Sequence, residues 1–200
     1  MKETYARPLL QDIEAAHKRI QPYIHRTPVL TSQSLNRIAG AEMVFKCENY
    51  QKVGAFKFRG ACNAVFSLSD QEAHHGVATH SSGNHAQALA LTAKIRGIQA
   101  CIVMPKNAPK VKIDAVRGYG AEIRFCEPTM KGREETLEEV LETTGAHFIH
   151  SYDDYRIIAG QGTAALEILE QTPELNILLV PVGGGGLISG TAITISAKSP

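Results

Sequence analysis

From residue 77 to residue 197, short apolar runs alternate with longer stretches of helical periodicity, and that alternation limits the chain to very few folds. Residues 77–80, 99–104, 121–126, 147–150 and 177–182 read as strands bounded by Gly, Pro and polar turns. Residues 86–95, 111–117, 133–143, 162–170 and 187–197 read as helices. Strands that alternate with helices need right-handed crossovers, so the sheet is expected to be parallel and covered on both faces. The predicted class is α/β.

The first third of the chain is less regular. Leu10, Ile13, His17 and Ile20 recur at three- and four-residue intervals, which predicts a helix stopped by Pro22. Residues 27–30 read as extended, 35–39 as a short helix closed by Gly40, and 42–48 as a strand. A helix over 60–68 then holds Lys57 near its N-terminal end, and Ser69 with Glu72 forms a capping box for another helix start.

Composition removes several function classes. The net charge is +1 with both signs interspersed, so there is no basic stripe to release counterions from a nucleic acid. No apolar run approaches bilayer length, and residues 1–10 carry no signal-like apolar region, so the expectation is a cytoplasmic protein that does not engage a membrane. Cys47, Cys62, Cys101 and Cys126 are scattered through apolar segments and read as buried thiols. Neither they nor the histidines show metal-ligand spacing, so no protein-only metal site is expected.

Three stretches carry chemistry. In Val53-Gly54-Ala55-Phe56-Lys57-Phe58-Arg59-Gly60 one lysine stands among small and aromatic residues, which can strip water from its ammonium and free an amine to condense with a carbonyl. The competing reading is a solvated charge. Gly183, Gly184, Gly185 and Gly186 link the apolar run 177–182 to a helix, and their bare N–H groups can wrap a phosphate at that helix N-terminus. A flexible turn is the alternative. Neither the GxxxxGK[ST] nor the GxGxxG pattern is met there. Ser81-Ser82-Gly83-Asn84-His85 offers hydroxyls, an amide and N–H groups at another helix start, either as a simple cap or as a cup for a carboxylate or phenolate oxygen. An imine-forming lysine, a phosphate cup and a carboxylate cup together describe a site for pyridoxal phosphate and an amino acid.

The ordered set Gly54-Ala55-Phe56-Lys57-Phe58-Arg59-Gly60, Ser81-Ser82-Gly83-Asn84-His85, Ala159-Gly160-Gln161-Gly162-Thr163 and Gly183 to Gly186 closely resembles the serine racemase and threonine dehydratase family. Thr27-Pro28-Val29-Leu30-Thr31-Ser32 and Phe45-Lys46-Cys47-Glu48-Asn49 resemble its serine racemase and hydroxyaspartate dehydratase branch. The resemblance implies a two-domain fold type II pyridoxal phosphate enzyme of tryptophan synthase β-like architecture. Its large domain would take residues 1–68 and 150–200, and a small mobile domain residues 74–148.

It also implies roles. Lys57 would form the imine, Phe56 would lie against the pyridine ring, Asn84 would bond the phenolic oxygen, and the four glycines with Leu187 would hold the phosphate. Ser82 would face the substrate from the side opposite Lys57, with Ser81, Gly83 and His85 around its carboxylate. Arg133 matches an arginine that approaches substrate, and Tyr152 stands where other members carry Asn. The implied reactions are racemisation and β-elimination of serine, threonine or 3-hydroxyaspartate, and the rival readings are a threonine dehydratase or a non-catalytic phosphate-binding protein. Family members continue past the equivalent of Pro200, so the chain is expected to lack the C-terminal part of the large domain, including the ligands for Mg2+. A homodimer is implied, as is a nucleotide effector near Ser32 and Lys52, where Gln33 and Val53 depart from the pattern.

Overall fold

The computed structural model describes residues 7–199. Helix α1 (Leu10–Ile20) buries Ile13, Ala16 and Ile20 along one stripe and ends just before Pro22. Strand β1 (Val29–Thr31), helix α2 (Gln33–Ala39) and strand β2 (Val44–Lys46) follow, and the two strands pair antiparallel with Val29 opposite Lys46. Ser32 caps α2, and Gly40 closes it in the left-handed region. The strand expected over 42–48 is thus only three residues long, because the chain turns at Glu48 into a short 3-10 segment.

Helix α3 (Lys57–Phe66) starts three residues earlier than its apolar pattern suggests, and Lys57 is its first residue. Helix α4 (Asp70–Ala73) carries the capping box expected of Ser69 and Glu72. Then the alternation takes over with β3 (Val77–His80), α5 (Asn84–Arg96), β4 (Ala100–Pro105), α6 (Lys110–Gly118), β5 (Glu122–Cys126), α7 (Met130–Thr144) and β6 (His147–Phe148). The four strands form a parallel sheet in the order β5-β4-β3-β6. Val77, Ile102 and Met104 pack with α5 and α6 on one face. Ala78, Cys101 and Val103 pack with α7 on the other. In β3 and β4 nearly all side chains find a core on one face or the other, which is why these two strands read as apolar runs, whereas the edge strand β5 leaves Glu122, Arg124 and Phe125 exposed.

Helix α8 (Tyr155–Gln171) begins well before residue 162, since Asp154 caps it by accepting from the N–H groups of Arg156 and Ile157. Its glycines hide the helical pattern because they serve close approach. A Cβ on Gly160 would lie 2.6 Å from the Gly60 Cα on α3, and one on Gly162 would lie 2.9 Å from the Gly190 carbonyl on α9 (Gly186–Lys198). Helix α8 is therefore the post against which α3 and α9 are both set, and residues 157–168 are buried without interruption.

One expectation fails. Residues 177–182 are not a strand: they form no regular element, and Ile177, Leu179 and Val182 are exposed. A strand needs a hydrogen-bonding neighbour, and none stands beside this segment among the described residues. Strand β6 is likewise shorter than expected, although the Ile149 N–H still donates to the Ala78 carbonyl at 2.9 Å. Among the described residues no helix is long and apolar enough to cross a membrane.

Replacing Gly160 by Ala is expected to destabilise the natural protein by about 1–3 kcal/mol through overpacking of α3 on α8. Urea unfolding would measure it, and an unchanged midpoint would show that the two backbones can separate freely.

Candidate active site

Lys57 follows a strained approach. Val53, a β-branched residue, sits at φ +57°, where such side chains are rare, and Gly54 follows at +68°. The chain then enters α3 with the Lys57 Nζ 5.4 Å from the Phe56 ring centroid and donating at 2.7 Å to the Ser151 carbonyl. Burial depresses its pKa, and among the described residues no carboxylate offsets that effect.

Two residues along the helix, the Arg59 side chain is wholly buried. Its Nε and Nη2 donate to Glu48 at 2.7 and 2.8 Å, and its Nη1 and Nη2 donate to Glu167 of α8 at 2.8 Å each. Lys46 of β2 donates to the same Glu167 at 2.6 Å and to the Thr27 carbonyl at 2.8 Å. Burial alone would lower the Arg59 pKa, but the two carboxylates outweigh it and keep the guanidinium charged. Two cations thus meet two anions, and the first turn of α3 is tied to β2 and α8 together. Sequence reading missed this cluster, although Glu167 within Ala-Leu-Glu-Ile-Leu and Arg59 within small apolar residues are charges that a buried face admits only in pairs.

The loop after β6 joins the lysine to the glycines. Ser151 holds the Lys57 amine, and the ring of the next residue, Tyr152, lies against Gly184 so closely that a Cβ there would meet it at 2.3 Å. The Tyr152 backbone touches Gly186. Gly185 caps α9 at φ +96° with no side chain on the helix N–H groups, and a Cβ on Gly183 or Gly185 would meet nothing within 4 Å. Of the four glycines, Gly184 is required by packing and Gly185 by its backbone angle. Phe56 and Leu187 line one cavity together with Thr191.

The serine loop lies at the carboxyl end of β3. The Gly83 N–H donates to Ser81 Oγ at 3.3 Å, Ser82 is half-buried, and Asn84 opens α5, which also has no side-chain cap. The His85 side chain is buried. Its ring is turned into the core with Nε2 3.3 Å from the Ile149 carbonyl, so its backbone alone can face a substrate carboxylate. Arg133 lies in the first turn of α7, where its charge reaches His80.

The family model described as "Pyridoxal-phosphate dependent enzyme" matches residues 20–200. The chain belongs to that family. A serine racemase of Arabidopsis thaliana is 58% identical over 199 residues, which are 100% of this chain and 60% of that protein. A beta-hydroxyaspartate dehydratase of Paracoccus denitrificans is 54% identical over 193 residues, 96% of this chain and 61% of that protein. The structure of maize serine racemase superposes with a TM-score of 0.96 at 48% identity, covering 98% of this chain and 59% of that one. The chain thus spans about 60% of the length of the relatives it matches. The fold is that of the fold type II pyridoxal-phosphate dependent enzymes, as the order of motifs implied.

Two predictions concern the stability of this family member. Glu167→Gln leaves Arg59 and Lys46 undercompensated, and a loss of about 3–5 kcal/mol in urea unfolding is expected; a loss under 1 kcal/mol would mean that the cluster is solvated. Burial also pushes the imidazoles of His80, His85 and His147 down, His85 to about 3. Each of these imidazoles takes up a proton less readily in the folded state than in the unfolded chain, which does so below about pH 6.5. Their stabilisation is therefore complete above that value and is lost as pH falls through it. Between pH 7.5 and 5.5 His85 alone is expected to account for a loss of roughly 1 kcal/mol. A urea midpoint that holds or rises over that interval would contradict the assignment.

Proposed function

We propose that the natural protein carrying this chain catalyses pyridoxal-phosphate-dependent racemisation and β-elimination of serine-like hydroxy amino acids. The carrying observation is the desolvated Lys57 amine on Ser151, one residue from the Tyr152 that packs on Gly184 and Gly186. The residues suit the cofactor: an amine of lowered pKa stands near a helix N-terminus whose N–H groups have no side-chain cap. When bound, pyridoxal phosphate supplies an electron sink that makes the Cα proton of an amino acid acidic.

In this reading Gly183 to Gly186 and Leu187 bind the phosphate, Phe56 supports the ring, and Asn84 orients its phenolic oxygen. The Ser81 to His85 backbone at the start of α5 receives the substrate carboxylate, and Arg133 approaches from α7. Lys57 Nζ removes the Cα proton on one face. Ser82 Oγ returns a proton on the other face to give the enantiomer, while departure of the β-hydroxyl as water leaves an enamine whose imine tautomer is hydrolysed by water to a keto acid and ammonia. Residues 74–148, which contain β3 to β6, form a small domain that closes against residues 1–68 and 150–200 and excludes water. The 58% and 54% identities to a serine racemase and a beta-hydroxyaspartate dehydratase support serine and 3-hydroxyaspartate as substrates. The reading extends to a cytoplasmic homodimer with a nucleotide effector near Ser32 and Lys52 and Mg2+ held by residues beyond 200. Four free cysteines, with the Cys62 and Cys101 thiols pushed by burial up to about 12 and 11, fit a reducing compartment.

The test is the absorption spectrum of the whole natural protein with pyridoxal phosphate, beside Lys57→Ala, before and after L-serine. A visible band that is absent in the variant and shifts with serine is expected. A wild-type protein without such a band would sink the enzymatic reading in favour of a phosphate-binding protein.

A further inference from the structure

Segment 149–153 touches both Lys57 and the glycine turn, yet strand bonding ends at its first residue. The Ile149 N–H donates to the Ala78 carbonyl, and the Ile149 carbonyl receives the His85 ring. Beyond it the backbone is turned by a side chain. His150 Nδ1 accepts the N–H of Tyr152 at 3.2 Å and that of Asp153 at 2.7 Å. Backbone amides only donate, so Nδ1 carries no proton and the neutral ring is protonated on Nε2. A histidine here does what Asp or Asn does in an Asx-turn. The turn exposes the Ser151 carbonyl between its two ends, and that carbonyl is the acceptor 2.7 Å from Lys57 Nζ.

We propose that His150 is a positioning residue for Lys57: the turn closed on its Nδ1 aims the Ser151 carbonyl, and that carbonyl orients the amine. The proposal rests on the role given to Lys57 above. A carbonyl can only accept, so a neutral amine gives it one N–H and turns its lone pair elsewhere, which is what a base needs in order to meet a proton from a defined direction. The same turn sets Tyr152 against Gly184, so one side chain adjusts the amine and the glycine turn together. No strand bond could take over, because β6 has already ended at Phe148.

Packing is the competing explanation. The His150 ring meets Phe148 edge-on at 5.8 Å and Tyr152 at 4.5 Å. Two substitutions in the whole natural protein separate the roles. His150→Phe keeps a ring and loses the acceptor, whereas His150→Asn keeps an acceptor able to close an Asx-turn and loses the ring.

The first readout is the rate at which acetic anhydride labels Lys57 in the cofactor-free protein, followed by peptide mass spectrometry; the second is kcat and KM for L-serine in the loaded enzyme. Losing the carbonyl withdraws a partner of the ammonium form, so His150→Phe is expected to raise labelling by about tenfold and to lower kcat by a similar factor with little change in KM. His150→Asn is expected to stay within about threefold of the parent in both. A parent-like His150→Phe, or a His150→Asn that loses as much as His150→Phe, overturns the proposal. Nitrogen NMR of the parent decides the case even where a variant does not fold. An Nε2–H tautomer at His150 supports it, and an Nδ1–H tautomer overturns it. Labelling and NMR use no cofactor, so they judge His150 separately from the spectrum that judges the enzymatic reading.

Discussion

A single buried guanidinium holds the arrangement together. Arg59 lies between Glu48 and Glu167, with Lys46 on the far side of Glu167, and these four charges fasten β2, α3 and α8 at one point. Burying an ion costs several kcal/mol, and only paired, hydrogen-bonded geometry recovers that cost. The cluster therefore tolerates little displacement. Lys57 stands two residues from it on the same helix, so the rigidity of the ion pairs is passed directly to the start of α3.

Around that point the helices approach more closely than side chains would allow. Gly60 meets Gly160, and Gly162 meets Gly190, so α8 carries α3 on one side and α9 on the other. These contacts bring the lysine helix and the glycine turn, which are far apart in sequence, to opposite ends of the short segment Ser151-Tyr152. Desolvation is the electrostatic result. The amine at Lys57 and the ring of His85 are both held toward their neutral forms by burial, in a site whose two helix N-termini favour anions.

Much of this was legible beforehand. Period and punctuation located β3, β4, β5 and the helices between them, because the central strands β3 and β4 are buried on both faces and the helices are bounded by Gly, Pro or polar turns. The order of the four motifs pointed to the fold type II family, to which the match over residues 20–200 assigns the chain. Legibility failed where partners decide the outcome. Residues 177–182 have the composition of a strand and no neighbour to pair with among the described residues. Residues 155–161 are helical although Gly160, placed for contact with α3, blurs the periodic pattern.

The sequence by itself determined the α/β alternation, the family and the presence of an amine, a glycine turn and a serine loop, since each of these is written in local spacing and residue type. Tertiary structure alone decided that Arg59 pairs with Glu48 and Glu167, that His85 turns inward, and that the Ser151 carbonyl meets Lys57 on a turn closed by His150. Those outcomes depend on contacts between residues up to 108 positions apart, and the free energy of a buried charge or hydrogen bond is set by the partner it finds in space.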